Sequence, residues 1–261
     1  MTGSGLTTEQ VLQLMQETAE EVIRPRWRAL ADDDISEKNP GDFVTVADQE
    51  AEVVITEWLR AAYPDALVVG EEASAANPGL EDLAHDAPHA FVVDPVDGTR
   101  NFIHGRKDYA VMIGELRRGE ITRGWIWQPE LDRAWVAELG AGATCNGEAL
   151  TLPTPDLSGV RGATTHRRLL RHRPAGVEEL GWTFYACGID YPNIVLGTGD
   201  FLIYRYMKPW DHVPGSLILR ELGGVSRTID GRDYKAVPTN EPLVVAVNDD
   251  VWEIGRRCIT G

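Results

Sequence analysis

Two hydrophobic periods alternate along the chain, and the points where one gives way to the other outline its elements. Val11, Met15, Ala19, Val22 and Ile23 recur at helical spacing with Glu and Gln on the other side, which predicts an amphipathic helix. Thr7 and Gln10 stand at capping-box spacing ahead of it. Pro25, with no N–H to bond back to Glu21, should end or kink this helix. Residues 29–40 are polar and broken, reading as a loop or hairpin, and the run Asp32-Asp33-Asp34 reads as solvated surface. A second helix is predicted from Asp48, with Ala51, Val54, Ile55, Trp58, Leu59 and Ala62 on one face and Pro64 as its stop. A short strand at 66–69 runs into Gly70-Glu71-Glu72, and residues 73–88, rich in Ala, Asp, Pro and Gly, read as a loop.

The period then shifts to strands. Ala90-Phe91-Val92-Val93 is an apolar run that stops at Asp94-Pro95-Val96-Asp97-Gly98-Thr99. Strands predicted at 109–116, 121–128 and 133–138, with turns at Arg118-Gly119 and 129–132, make an antiparallel meander. Asn146-Gly147 is a type I′ hairpin signal. Residues 151–158, with Pro153 and Pro155, mark a boundary between an N-terminal α+β part (1–150) and a C-terminal α/β part (151–261). In the second part strands are predicted at 159–165, 182–185, 201–204 and 243–247. A helix opened by Asp211 closes at Gly223-Gly224, and Asp249-Asp250 caps a short last helix.

Composition narrows the function classes. The 261 residues are 43% hydrophobic, enough to bury a sizeable core. The balance of 41 acidic against 25 basic residues, net −16, argues against nucleic acid or an anionic membrane as the main partner. Three dispersed cysteines, Cys145, Cys187 and Cys258, suit a reducing cytoplasm. No apolar run approaches the roughly 20 residues of a membrane span, and Met1 to Gly5 lacks a signal-peptide pattern, so a soluble cytoplasmic protein is expected.

The candidate chemistry is carboxylate. Asp48 and Asp211 stand at helix starts, Glu71 and Glu72 follow one strand, and Asp94, Asp97 and Thr99 end another. Each has a plain alternative: Asp48 and Asp211 as N-caps, Glu71-Glu72 as surface loop, Asp94-Pro95 as a turn. Two apolar strands that both run straight into acids favour a divalent cation between them.

These blocks together resemble the inositol monophosphatase family, the Mg²⁺-dependent, lithium-sensitive phosphatases. The resemblance rests on Gly70-Glu71-Glu72, on Asp94-Pro95-Val96-Asp97-Gly98-Thr99-Arg100-Asn101-Phe102, and on Trp210-Asp211-His212-Val213-Pro214-Gly215 with Glu221-Leu222-Gly223-Gly224. Lys38 with Asp42-Phe43-Val44-Thr45-Val46-Ala47-Asp48, and residues 140–147, resemble further family elements in the same order. The resemblance implies a layered αβαβα sandwich and, usually, a homodimer. It implies a first Mg²⁺ on Glu71, Asp94 and the Val96 carbonyl, a second on Asp94, Asp97 and Asp211, and a third, weaker ion sharing Glu71. Thr99 and Asp48, with Glu71, would orient and deprotonate a metal-bound water. Gly98 and Thr99 N–H groups would bind phosphate, and Asp97, Tyr204 and Asp211 would complete the substrate contacts. Hard Mg²⁺ prefers oxygen ligands, and it would also let a chain of net −16 bind a phosphate.

The substrate side departs from the pattern. Inositol-hydrolysing members carry a Glu seven residues before the last metal Asp, and this chain has Tyr204 there. Ala186-Cys187-Gly188 stands where the family has a small Ser-Ala-Ala segment, and Pro192 follows where a helix would start. An inositol monophosphate is the leading substrate, with histidinol phosphate, fructose 1,6-bisphosphate and 3′-phosphoadenosine 5′-phosphate as alternatives. The rival Asp-x-Asp-Gly-Thr phosphatase motif is spoiled by two residues between Asp94 and Asp97, and a non-catalytic protein-binding module is the rival of another class. Arg205 and Lys208 either meet a second phosphate or are solvated, and His212 either tunes the site or is an ordinary helix-start residue. Trp125, Trp127 and Trp135 read as core or dimer surface. Arg167-Arg168 and Arg171-His172-Arg173 read as a surface loop or a rim that attracts phosphate.

Overall fold

The computed structural model describes residues 5–77, 79–171, 173–237, 239 and 241–260. Helix α1 (Thr8–Thr18) starts at the predicted capping box, Thr7 and Gln10 each bonding the other's backbone N–H. Pro25 does not stop the rod abruptly. The chain widens to one turn at Ala19–Ile23, where Arg24 N–H reaches back to the Ala19 carbonyl, then tightens at Arg24–Arg26. The polar stretch that follows forms an antiparallel hairpin, β1 (Ile35–Asn39) and β2 (Asp42–Thr45). Helix α2 (Val46–Ala62) begins before Asp48 because Thr45 is its cap, and Asp48 is the third helical residue that bonds back to Thr45.

Strand β3 (Leu67–Gly70) turns directly into a short helix, α3 (Glu71–Ala76), so the segment expected to be all loop opens with helical turns. The central strand β4 (His89–Asp97) is followed by α4 (Thr99–Ile103) and then by the predicted meander. Its strands are β5 (Ala110–Arg117), β6 (Glu120–Gln128), β7 (Arg133–Glu138), β8 (Gly142–Cys145) and β9 (Glu148–Ala149). Asn146 and Gly147 both adopt positive φ, +51° and +82°, as a type I′ turn requires. These strands form a seven-stranded sheet in sequence order, with only β3 and β4 parallel.

The remaining elements are β10 (Val160–Thr164), β11 (Val177–Trp182), α5 (Cys187–Val195), β12 (Phe201–Tyr204), α6 (Pro209–Glu221), β13 (Val225–Thr228), β14 (Leu243–Ala246) and α7 (Asp249–Thr260). They give a mixed five-stranded sheet in the order β11-β10-β12-β14-β13. The strand expected at 182–185 lies earlier, at Val177–Trp182. Phe184 N–H is taken by Asp190 Oδ1 at 2.8 Å and Tyr185 turns to φ +58°, which removes both residues from any ladder. Helix α5 forms despite Pro192. The carbonyl that Pro192 leaves unbonded, Gly188, accepts instead from Gln128 Nε2 at 2.6 Å.

Side-chain parity sets the layers. Phe91 and Val93 of β4, with Val111 and Ile113 of β5, join Leu14 of α1 and Ile55 of α2 in one apolar cluster. Ala90, Val92, Ala110 and Met112 face the other way, into a cluster that includes Leu217 of α6, Leu202 of β12 and Val251 of α7. The stack therefore reads helix, seven-stranded sheet, helix, five-stranded sheet, helix, which is the αβαβα sandwich. The middle helix lies close because β5 and β6 carry glycine beneath it. A Cβ on Gly114 would come within 2.3 Å of Val213, and one on Gly124 within 2.9 Å of the Pro214 backbone. Trp125 and Trp135 are fully buried on opposite faces, as core. Among the described residues no helix is long and apolar enough to cross a membrane, and the three cysteines are free thiols.

Candidate metal and phosphate site

The acids meet at the end of β4. In a regular strand Asp94 and Asp97, three positions apart, would point to opposite faces. Here β4 spends three steps between them while β5 spends two, from Met112 to Ala110. That extra residue is a bulge, and it turns both carboxylates toward α6. The Val96 N–H bonds Asp94 Oδ1 at 3.1 Å within it. Asp211, the third residue of α6, is held over the same point by the close packing of that helix on Gly114 and Gly124. Carboxylate oxygens of Asp94, Asp97 and Asp211 lie within 4.8 Å of one another.

The electrostatics of this triad are unfavourable without a cation. Burial, then Glu71, Asp97 and Asp211, push the Asp94 carboxyl well above its usual range. Burial followed by Asp97 and Glu71 does the same to Asp211. Asp97 is pushed up to about 7 by burial, against the backbone N–H groups of Gly188 (2.6 Å) and Cys187 (3.0 Å) that it accepts. Those two bonds seat the first turn of α5 on β4. The three acids give an all-oxygen donor set that suits a hard divalent ion, while Asp211 also lies within 4.8 Å of ligand atoms of Cys187 and His212 on its other side.

Glu71 is placed differently. Lys38, on the β1–β2 hairpin, sits 2.6 Å from Glu71 Oε1 and 3.1 Å from Glu72 Oε1. Burial works to lower the Lys38 pKa, but the two glutamates outweigh it and raise it. Glu72 is itself pushed up to about 7 by burial and by Glu71. So the three aspartates form one group, with Glu71 beside it in an ion pair.

Thr99 joins the remaining residues. Its Oγ1 lies 2.9 Å from Asp48 Oδ1 and 3.1 Å from the Val96 carbonyl. Asp48 serves both as capping partner of Thr45 and as partner of Thr99, and burial pushes it up to about 6. Gly98 precedes Thr99 at φ +85°, where a Cβ would lie 2.9 Å from the Ala186 Cβ and 3.0 Å from the Asp108 carbonyl. The turn is pinned by Asn101 Nδ2, which donates to the Asp108 and Phe184 carbonyls at 2.8 Å each.

Several residues on the substrate side have other partners. Tyr204 is buried, its hydroxyl 3.1 Å from Asp190 Oδ2 and its ring edge-on to His212. His212 is no ordinary helix-start residue, since it is fully enclosed and burial lowers its pKa to about 4. Its Nε2 can only donate to the Tyr206 carbonyl (3.2 Å), so Nδ1 accepts from the Tyr191 hydroxyl (3.0 Å). Lys208 pairs with Glu81 at 2.7 Å, while Arg205 is exposed over the Tyr206 ring. Arg167, Arg168, Arg171 and Arg173 are exposed, and His172 lies outside the described residues.

Two acids here were missed in the sequence. Glu52 accepts from the N–H groups of Glu72 and Ala73 at 2.8 Å each and so holds the start of α3. Its signal was an acid four residues after Asp48, on the apolar face of α2. Asp190 is buried beside Tyr204 and pushed up to about 8 by burial; an acid two residues before Pro192 gave no periodic signal.

A carboxylate cluster at a strand tip between two sheets of an αβαβα sandwich is a candidate divalent-metal site on a layered fold. The family model described as the inositol monophosphatase family matches residues 7–255, and the chain belongs to that family, whose members hydrolyse phosphate monoesters. The chain is 32% identical over 244 residues to an inositol-1-monophosphatase of Rhizobium meliloti, covering 86% of this chain and 85% of that one. It is 28% identical to the fructose-1,6-bisphosphatase/inositol-1-monophosphatase of Thermotoga maritima, covering 85% and 89%. In fold it is similar to staphylococcal inositol monophosphatase-1, solved as a LiCl-soaked inhibitory complex, with TM-score 0.82 and 19% identity over 99% of this chain and 97% of that one.

Proposed function

We propose that this chain is a Mg²⁺-dependent phosphomonoesterase whose substrate is a small phosphorylated alcohol, with an inositol monophosphate as the leading case. The observation that carries the reading is the triad of buried Asp94 and Asp97 with half-buried Asp211, three mutually repelling carboxylates with no cationic side chain among them. Asp94, Asp97, Asp211, Glu71 and the Val96 carbonyl would hold the ions. Bound there, divalent ions supply charge neutralisation of the phosphate and stabilisation of the alcohol oxygen as it leaves.

The chain's own groups account for the handling of water. If Thr99 Oγ1 donates to Asp48, its lone pairs are free to accept a hydrogen bond from a water in line with the phosphorus. As the water oxygen bonds to phosphorus and the P–O bond to the alcohol breaks, the water proton passes to Thr99 while Thr99 passes its own to Asp48. Asp48, raised to about 6, is ionised above that pH and able to receive it. The backbone N–H groups of Gly98 and Thr99 hold the non-reacting phosphate oxygens.

The test is release of phosphate from inositol 1-phosphate by the purified protein with Mg²⁺, without it, and with added Li⁺. Mg²⁺-dependent release suppressed by Li⁺ is expected, and release undiminished by a chelator would overturn the reading. Thr99→Ala should lower kcat by about 10²–10³ and change Mg²⁺ affinity little. Isothermal titration with Mg²⁺ beside steady-state kinetics measures both.

A further inference from the structure

A buried hydroxyl without a hydrogen-bond partner is uncommon in a folded chain, because it gives up water and gains nothing in return. Two such groups, Ser226 Oγ and the Tyr234 hydroxyl, belong to residues that line one cavity of about 190 Å³ and have no partner among the described residues. The cavity lies between α6, β13 and the start of β6, and none of its lining residues belongs to the aspartate triad. Tyr234 is only 7% exposed, and its N–H bonds the Ser226 carbonyl at 2.8 Å, which sets the two residues across from one another.

Hydrogen-bond direction decides what these hydroxyls can take. Since the Tyr191 hydroxyl donates to His212 Nδ1, its oxygen accepts from Ser216 at 3.3 Å, and Ser216, on the same wall, is spent as a donor. Ser226 and Tyr234 keep their protons free. On the open side of the cavity stand Arg220 and Arg227. Arg220 is held by Glu120 and by the Ile121 carbonyl, each at 2.9 Å, and Arg227 by Asp233 at 2.8 Å and by Asp249. Those contacts fix both guanidinium groups and leave Arg220 Nε and Arg227 Nη2 without a partner among the described residues. Asp233, the one acid on the wall, is already paired with Arg227. The side-chain groups left to meet a ligand are thus donors, with two arginines against one aspartate in a chain of net −16.

We propose that this cavity is a second oxyanion site, apart from the triad, for one small phosphate or carboxylate. Ser226 and Tyr234 meet its oxygens inside, and Arg220 and Arg227 meet them at the open side. The volume falls below the roughly 300–1,000 Å³ of pockets for drug-sized ligands, which excludes a nucleotide. Ser216 and Arg220 stand on α6, the helix that presents Asp211 from its first turn, so a bound anion fastens that helix to β13.

The experiment is isothermal titration of the whole, chelator-treated chain with inorganic phosphate and, separately, with malonate. It compares the wild type with Tyr234→Phe, Ser226→Ala and Arg220→Gln. Without divalent ions the catalytic carboxylates repel an anion, so binding reports the second site. Neither hydroxyl bonds anything among the described residues, so Tyr234→Phe and Ser226→Ala keep the fold. The wild type should take up one anion per chain, and Tyr234→Phe should weaken uptake by about tenfold or more, with the other two variants changed in the same direction. The anion should also raise the unfolding midpoint of the wild type and raise that of Tyr234→Phe less. Preference for phosphate or for malonate tells the two ligands apart, and either result supports the site. No uptake by the wild type, or uptake unchanged in all three variants, would overturn the proposal and leave the phosphatase reading standing.

Discussion

Asp94 is the residue on which two opposing demands meet. It is buried, and it faces Asp97 and Asp211, so in the absence of ions its charge opposes the fold. A carboxyl whose pKa is raised on folding favours the folded state while protonated, and that advantage is lost as the pH rises through the unfolded value of 3.8 toward neutrality. Asp94→Asn should therefore raise the unfolding midpoint of the metal-free protein by a few degrees at neutral pH and, on the proposed function, abolish turnover and the stabilisation expected from Mg²⁺. Thermal melts with and without the ion measure both signs, and a midpoint that falls in the metal-free variant would refute the repulsion argument. At this scale the sequence was legible where the grouping is local: Asp94, Asp97, Gly98 and Thr99 fall within one stretch at the end of β4, and the structure keeps Asp94 and Asp97 together. Asp190 was not, because its role comes from Tyr204 and Phe184, which only the fold brings to it.

The elements show the same division. The capping signal placed the start of α1 to the residue, and alternation placed the meander, because both depend on neighbours in the chain. Helix α5 was obscured by Pro192, and its rescue comes from β6, through Gln128. This rescue can be measured. Gln128→Leu leaves the Gly188 carbonyl buried and unbonded and should cost about 1–3 kcal/mol. Pro192→Ala restores an N–H able to bond that carbonyl within the helix, so the loss on Gln128→Leu should be smaller in the Pro192→Ala background. Urea unfolding of the four proteins of this cycle reads the coupling, and strictly additive losses would show that Gln128 plays no such part. The displaced β11 has a related cause, since residues 183–185 are held by Asp190 and Asn101 and are unavailable to a strand.

Across the whole molecule, a charged knot away from the site fastens the first segment to the sheet. Glu115 of β5 accepts from Arg117 and Arg123 and meets His89 at 2.8 Å, while Arg123 also reaches the Leu6 carbonyl and the Tyr63 hydroxyl. Burial alone would raise the Glu115 pKa, but the His89 hydrogen bond, Arg123 and Arg117 lower it to about 2. Its contribution is thus complete above 4.5, the unfolded value, and is lost as the pH falls toward about 2. Glu115→Gln should cost about 2–3 kcal/mol at neutral pH, a deficit that shrinks across that acid window. Denaturant titrations over the pH series check it, and a deficit independent of pH would assign the cost to packing. The layered order also has a consequence for the chain in synthesis. Asp94 and Asp97 leave the ribosome long before Asp211, and Asp211 reaches them only once α6 has settled on the glycines of β5 and β6. A nascent chain therefore lacks the completed triad, and if the triad holds an ion as proposed, tight ion uptake on refolding should appear only in the last kinetic phase, reporting that the two sheets have closed on the helix between them.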